Sequence, residues 1–180
     1  MKLFIASDIH GSALCCRGML SAFDREGADR LLLLGDVLYH GPRNGLPEDY
    51  DPKQVASMLN ARKDHILCIR GNCDAEVDQM MLSFPMMADF ALISQDGVTA
   101  YLTHGHRFGP DCLPPLMPGD LLLYGHTHVP AWETRDGIPC LNPGSVSLPK
   151  NGTPRGYLLW EGHAFTWKTL EGETYHTLTI

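Results

Sequence analysis

Five short apolar segments of this chain are each followed almost directly by Asp, Asn or His. Short apolar runs bounded by glycine and polar residues are typical of buried β-strands. Arg30–Leu34, with four consecutive leucines, has the pattern of a strand buried on both faces. The five pairings are Lys2–Ser7 with Asp8 and His10, Arg30–Leu34 with Asp36, His65–Ile69 with Asn72, Val98–Thr103 with His104, and Leu121–Tyr124 with His126 and His128. The fold must therefore accommodate buried strands that end in polar side chains.

The segments between the first three strands favour helices. Apolar residues recur at helical spacing over Ser12–Arg25, and Gly27 follows as a stop signal. Asp51 is a favoured N-cap residue, and the proline after it suits the first position of a helix expected over residues 52–61. A short helix is predicted around Ala75–Leu82. The first half of the chain is therefore predicted to be βαβαβ.

The second half is predicted to be mostly β-structure. Hairpin and meander strands are expected at Phe90–Ser94, Val98–Thr103, Ala131–Arg135, Ile138–Leu141, Gly156–Trp160, His163–Leu170 and Thr174–Leu178. With 180 residues, 44% of them hydrophobic, the chain can bury one core. We expect an α/β fold of two packed mixed sheets flanked by helices on their outer faces, in a single domain over residues 1–180.

The polar residues at the strand ends predict a metal site. The carboxyl ends of strands in βα units converge on one edge, so these side chains would face one crevice. They offer carboxylate, amide and imidazole ligands but no thiolate, from Asp8, His10, Asp36, Asn72, His104, His126 and His128. Seven such ligands exceed one tetrahedral ion and suit two divalent ions that share a carboxylate. We expect an extended segment at His126–His128, where residues two apart point the same way and reach neighbouring ions.

Charge and cysteine content exclude other classes of protein. The formal net charge of −7 disfavours a surface for duplex nucleic acid, which needs clustered Lys and Arg. The first twelve residues carry one lysine and turn polar after six, unlike a signal peptide, and no apolar run approaches a membrane span. The six cysteines form no CxxC or disulfide framework, so we expect reduced thiols in a cytoplasmic protein.

The ordered motifs D-x-H, G-D, G-N-x-D, H and G-H-x-H resemble those of the calcineurin-like metallophosphoesterase superfamily. With LTHGHRFGP, NPGSVSLP and the short β-rich tail, the similarity covers essentially the whole chain and points to small single-domain bacterial phosphodiesterases of the YfcE type. The resemblance implies a four-layer α/β-β/α sandwich. It also implies one metal on Asp8, His10, Asp36 and His128, and a second on Asp36, Asn72, His104 and His126, with Asp36 bridging.

The same resemblance implies a reaction, namely attack of a metal-bound hydroxide on a small phosphodiester. Paired ions about 3.5–4 Å apart can stabilise both the attacking and the leaving oxygen. Manganese is the expected metal, although mixed imidazole and carboxylate ligation also suits Zn, Fe, Ni or Co. The expected catalytic residues are Asp36, Asn72, Cys73, Asp74 and His104. Small relatives often associate, so a homo-oligomer is expected.

One position departs from the superfamily pattern. The superfamily usually has G-N-H-D, whereas Cys73 replaces that histidine here. A thiol with a pKa of about 8.5 is a poor substitute for imidazole near neutral pH, so we expect a preference for diesters with good leaving groups. Asp74 would orient its neighbours through hydrogen bonds. The expected substrate contacts are Asn72, Cys73, His40 and Arg43; a solvated loop is the alternative for the last two.

Three other functions match parts of the pattern. A phosphomonoesterase would use the same fold and metal site. A metal-binding interaction scaffold, like the retromer subunit of similar fold, should show gaps in the ligand set, and this chain has none. The H-G-H of His104–His106 also occurs in metallo-β-lactamase-type enzymes, but Arg107 and Phe108 replace the Asp-His that should follow.

Overall fold

The computed structural model describes residues 1–180, which form eleven strands and three helices. The strands are β1 (Lys2–Ala6), β2 (Arg30–Leu33), β3 (Ile66–Cys68), β4 (Phe90–Gln95), β5 (Val98–Thr103), β6 (Asp120–Leu123), β7 (Ala131–Arg135), β8 (Ile138–Asn142), β9 (Gly156–Glu161), β10 (Ala164–Thr169) and β11 (Thr174–Thr179). The helices are α1 (Ala13–Glu26), α2 (Pro52–Asn60) and α3 (Glu76–Met81), with a 3-10 turn at Lys63–His65. Every predicted strand and helix is present.

The strands form two mixed sheets, which confirms the predicted fold class. The first has the order β11-β10-β9-β1-β2-β3, in which β1, β2 and β3 are parallel and the three C-terminal strands extend the sheet antiparallel. The second has the order β4-β5-β6-β8-β7, with β5, β6 and β8 parallel and a hairpin at each edge. Parallel strands therefore occupy the middle of the second sheet and one half of the first.

Strand β1 shows how the sequence builds these layers. Its side chains alternate between two faces, as in any β-strand. Leu3 and Ile5 enter the apolar core between the two sheets, whereas Phe4 and Ala6 enter a second core with α1 and α2. Because both faces are covered, the strand is apolar at every position from Leu3 to Ala6.

The helix ends follow the predicted signals. Ser12 is the N-cap of α1 and its hydroxyl accepts a hydrogen bond from the backbone N–H of Cys15. Gly27 ends that helix in the left-handed conformation, with φ of 60°. The Asp51 carboxylate caps α2 by accepting from the N–H of Gln54. These caps define where α1 begins and ends and where α2 begins.

The helical layer covers the first sheet only, whereas helices were expected on both outer faces. On the second sheet, the outer apolar face packs against Leu113 and Leu116, which belong to the helix-free segment between β5 and β6. The stretch from His104 to Gly119, with both ends included, contains four prolines and three glycines, and both residue types disfavour helices. None of the three helices combines the length and apolarity that a membrane span requires.

Candidate metal centre

The seven predicted ligands lie at one edge of the molecule, just beyond the carboxyl ends of β1, β2, β3, β5 and β6. Five of them are polar yet at most 2% exposed, namely Asp8, His10, Asp36, His104 and His128. Burying ionisable groups together is costly unless they are paired or bind an ion. We call the seven residues the metal centre.

Three side chains form a compact buried group, defined as Asp8, His10 and His128. The Nε2 atoms of His10 and His128 are 3.2 Å apart. Asp8 Oδ1 lies 3.6 Å from His10 Nε2 and 3.3 Å from His128 Nε2, yet it makes no hydrogen bond of good geometry. A buried carboxylate oxygen without a donor, facing two imidazole nitrogens, fits the donor set of a divalent cation.

Asp36 connects this buried group to an open group, defined as Asn72, His104 and His126. Asp36 Oδ2 is 3.6 Å from His10 Nε2 and 3.4 Å from His104 Nε2. Asn72 Oδ1 is 3.0 Å from His104 Nε2. The half-buried ring of His126 has its centroid 5.1 Å from that of His104, but its nitrogens lie outside the compact groups of possible ligand atoms. One carboxylate thus faces both groups.

Backbone carbonyls fix the orientation of three imidazoles. Each ring places Nδ1 within 2.6 to 2.8 Å of a main-chain oxygen and turns Nε2 toward the carboxylates. An N–H at Nδ1 directs the lone pair to Nε2, which is the arrangement that metal-binding histidines use. The pairs are His10 with Tyr39, His104 with Leu34, and His128 with Leu148.

The backbone at the centre is turned rather than extended, so the extended geometry expected at His126–His128 is wrong. Five of the seven centre residues have positive φ, namely Asp8 (59°), His10 (51°), Asp36 (55°), His126 (66°) and His128 (62°). Left-handed histidine and aspartate are uncommon and concentrate at functional sites. The turn sends His128 to the buried group while the N–H of His126 donates to Asp8 Oδ2 at 3.0 Å.

Asp74 orients the backbone next to the metal centre through hydrogen bonds, as the sequence predicted. Its Oδ2 accepts from the N–H groups of Asp36 and Gly71 at 2.8 and 2.7 Å, and its Oδ1 from that of Val37 at 2.9 Å. Burial raises the pKa of Asp74, and these hydrogen bonds oppose the rise. The backbone of the shared carboxylate is therefore held by a buried side chain.

Close backbone approach also shapes the centre. A Cβ on Gly71 would lie 2.1 Å from Asp36 Oδ1, and one on Gly125 would lie 2.0 Å from Ser7 Oγ. The hydroxyls of Ser145 and Ser147 both donate to the carbonyl of Asp8, at 2.8 and 3.1 Å. The NPGSVS segment is thus tied to the backbone of Asp8 by two hydrogen bonds.

The titratable groups perturb one another strongly. Burial would raise the pKa of Asp8, but the neighbouring His10 and His128 hold it well below its usual value. Burial would lower the pKa of His104, but the hydrogen bond to Asp36 and the charges of Asp8 and Asp36 raise it to about 9. Burial and the charge on His104 lower the pKa of His126 to about 4. The shifts of Asp8 and His104 therefore arise from the pairing of carboxylates with imidazoles inside the buried centre.

A crevice of about 620 Å³ opens over the centre. Its lining combines Asp36, Asn72, Cys73, His126 and His128 of the predicted site with Tyr39, Gly41, Pro42, Arg43, Asn44, Thr127 and Lys150. Lys150 was not predicted. Its nearest sequence signal is its position directly after the NPGSVSLP segment.

His40, an expected substrate contact, does not line this crevice. Its ring packs edge-on between the rings of Tyr39 and Tyr50, with centroids 4.7 and 5.2 Å away. Arg43, from the same loop, does line the crevice. The two residues expected to act alike therefore occupy different environments.

Comparison with known proteins gives concordant results. The model of the calcineurin-like phosphoesterase superfamily domain matches residues 1–164. The phosphodiesterase YfcE of Escherichia coli is 52% identical over 157 residues, which cover 87% of this chain and 85% of that protein. The solved structure of E. coli YfcE, described as a phosphoesterase, superposes with a TM-score of 0.96 at 45% identity and covers all of both chains.

A more distant match concerns the fold alone. The structure of Vps29 from Entamoeba histolytica complexed with zinc superposes with a TM-score of 0.62 at 16% identity, covering 99% of each chain. That similarity places the two-sheet architecture in a second kind of protein but carries no activity to this one.

Proposed function

Because the chain belongs to the calcineurin-like phosphoesterase superfamily, we propose that it is a phosphodiesterase that uses two divalent metal ions to hydrolyse a small phosphodiester. The phosphodiesterase class rests on the identity to YfcE across most of both chains. The observation that carries the two-ion mechanism is the position of Asp36 Oδ2, which lies between His10 Nε2 and His104 Nε2.

The donor set suits two ions that share one carboxylate. One would be held by Asp8, His10, Asp36 and His128, and the other by Asp36, Asn72, His104 and His126. We propose manganese, since the ligands mix carboxylate and amide oxygens with imidazoles; zinc, iron, nickel and cobalt are the alternatives. Such ions, when bound, supply a hydroxide nucleophile at neutral pH and stabilise negative charge on phosphoryl oxygens.

The residues of the chain itself would bind and orient the substrate. Arg43 and Lys150 bring positive charge to the crevice, where they can attract a phosphodiester anion and contact its oxygens. Asn72 and Cys73 line the same crevice and can contact the phosphate. Asp74 acts through the backbone of Asp36 and keeps the shared carboxylate in place.

The surroundings of Cys73 make its thiol a poor proton donor near neutral pH. Burial and the negative charge of Asp36 raise the pKa of the thiol to about 12. Its Sγ accepts a hydrogen bond from Asn72 Nδ2 at 3.2 Å, and its backbone N–H donates to Asp36 Oδ1 at 2.8 Å. A thiol that stays protonated near neutral pH favours substrates whose leaving group needs little protonation.

A panel of phosphoesters tested against a panel of metals would examine this function. Metal-stripped protein is loaded with manganese, zinc, nickel or cobalt and assayed on phosphodiesters and phosphomonoesters, with Asp36→Ala as the blank. We expect metal-dependent hydrolysis of diesters in excess of monoesters and none above background in Asp36→Ala. A preference for monoesters would identify a phosphomonoesterase. Metal uptake without hydrolysis of any phosphoester would instead favour an interaction scaffold.

A further inference from the structure

A second cavity, of about 250 Å³, opens beside the metal crevice and shares two lining residues with it, Tyr39 and Cys73. We call it the side cavity. The rest of its lining comes from Leu38, Tyr50, Pro52, Ala75, Val77 and Asp78. It therefore spans the loop after β2, the start of α2 and the first turn of α3.

The chemistry of the side cavity contrasts with that of the crevice. Six of its eight lining residues are hydrophobic, against two of twelve in the crevice. Its single charged residue is Asp78, whose Oδ2 accepts from the N–H of Ala75 at 2.8 Å. The cations Arg43 and Lys150 line the crevice only. An acid without a neighbouring cation would repel an anionic group, whereas a neutral apolar group would gain by leaving water.

One wall of the side cavity is held rigidly by aromatic packing. The His40 ring is wedged edge-on between Tyr39 and Tyr50. The Tyr50 ring also lies against Gly11, where a Cβ would approach to 2.5 Å. Aromatic rings pair favourably in offset-stacked or edge-to-face arrangements, so the Tyr39 and Tyr50 rings of this wall favour an aromatic ligand. The half-buried His40, which lines neither cavity, therefore supports this wall.

The opposite wall is open. Val77 lies on α3 with 63% of its surface exposed, so a substituent can enter beside it without displacing other groups. Cys73 stands at the boundary between the two cavities. The volume exceeds the roughly 150 Å³ of an apolar protein cavity that binds benzene, so a single aromatic ring fits.

We propose that the side cavity binds an apolar, preferentially aromatic, ester arm of the diester whose phosphate lies at the metal centre. The inference rests on the proposed function for the position of the phosphate. It adds a substrate class: a diester with at least one neutral aromatic alcohol, in preference to one with small or charged arms. Val77 is then a specificity-determining residue.

Binding of two phosphonates to the manganese-loaded protein tests the side cavity. Phenylphosphonate and methylphosphonate carry the same anionic anchor and differ only in the arm. Calorimetry should give about tenfold tighter binding of phenylphosphonate, since a ring in a cavity open on one side gains part of its full burial energy. Val77→Asn should reduce this ratio to below about threefold. Met80→Asn is the matched control, because Met80 lies on the same helix, is 84% exposed and lines neither cavity.

The outcomes separate the side cavity from the proposed function. A ratio near one in the wild type, a ratio unchanged in Val77→Asn, or binding of neither phosphonate would overturn the side cavity as a subsite. Equal thermal midpoints of the two variants would show that both fold. Hydrolysis of methyl and phenyl diesters with equal kcat/KM, together with a ratio of one, would leave the proposed function and remove the subsite. A tenfold ratio without hydrolysis of any diester would instead keep the subsite and contradict the proposed function.

Discussion

The buried group and the open group of the metal centre offer the same kinds of ligand but are built differently. Asp8, His10 and His128 are almost fully buried, and both imidazoles of this group are fixed by backbone carbonyls. Asn72 and His126 line the crevice, and the ring of His126 has no such carbonyl partner. His104 of the open group is buried and carbonyl-bound like the first group. The comparison teaches that folding alone preorganises these four residues, whereas Asn72 and His126 stay accessible to a substrate.

The largest expected effect comes from removing one histidine from each group. His128→Ala should lower phosphodiester hydrolysis about 10³-fold, because several kcal/mol of charge stabilisation depends on the ion it holds. Excess manganese should not restore the activity. In His126→Ala the loss of hydrolysis should be about tenfold smaller, and activity should recover partly at high manganese, since this metal site depends less on preorganisation. Steady-state kinetics over a manganese series checks this, and a larger, unrescued loss in His126→Ala would reverse the comparison.

Asp74→Asn should have the next largest effect, because Asp74 holds the backbone of Asp36, the residue that both groups share. The amide retains one acceptor oxygen, so at least one backbone N–H near Asp36 loses its partner. We expect a loss of about 1–3 kcal/mol in the free energy of unfolding and about 10- to 100-fold in activity.

The matched control for that change is Asp89→Asn. Asp89 pairs with Arg107 at 3.2 Å on the surface, where both side chains are more than half exposed. Removing such a pair should change the free energy of unfolding by less than about 1 kcal/mol and leave activity unaltered. Urea denaturation of both variants measures the free energy of unfolding. Equal losses of this free energy in the two variants would show that Asp74 has no special supporting role.

The pH dependence of metal binding should separate two histidines within the open group. His104, whose pKa is raised to about 9, must lose its proton before Nε2 can bind an ion. Below that pH each displaced proton should weaken binding about tenfold per pH unit, so affinity should rise from pH 6 to about 9 and then level off. His126, with a pKa lowered to about 4, is already neutral over that range.

Calorimetry in buffers of different ionisation enthalpy would count the protons released on manganese binding. His126→Ala should leave the count unchanged near neutral pH. An affinity that does not vary between about pH 6 and 9 would contradict the assignment of a proton to His104.

The smallest effect is expected at Cys73. Because its thiol stays protonated near neutral pH, Cys73→Ser removes no charge and little volume. We expect kcat/KM within about threefold of the wild type and an unchanged pH profile for a diester with a good leaving group. A tenfold loss, or a displaced pH profile, would show that the thiol takes part in proton transfer after all.

The sequence predicted the strands and their polar ends well, because short apolar runs and the Gly-Asp or Gly-Asn endings are local signals. It could not predict the left-handed backbone of His126 and His128, whose contacts with Asp8 and the carbonyl of Leu148 come from distant parts of the chain. The pairing of β9 with β1 was also out of reach, since partner choice between strands depends on the whole fold. Lys150 lacks any motif that would mark it as part of the crevice.

Anomalous diffraction from crystals soaked in manganese tests the shared carboxylate most directly. Two peaks are predicted, about 3.5–4 Å apart on either side of Asp36, one near His10 and His128 and the other near His104 and His126. A single peak, or peaks away from Asp36, would contradict a two-ion centre built from the two groups.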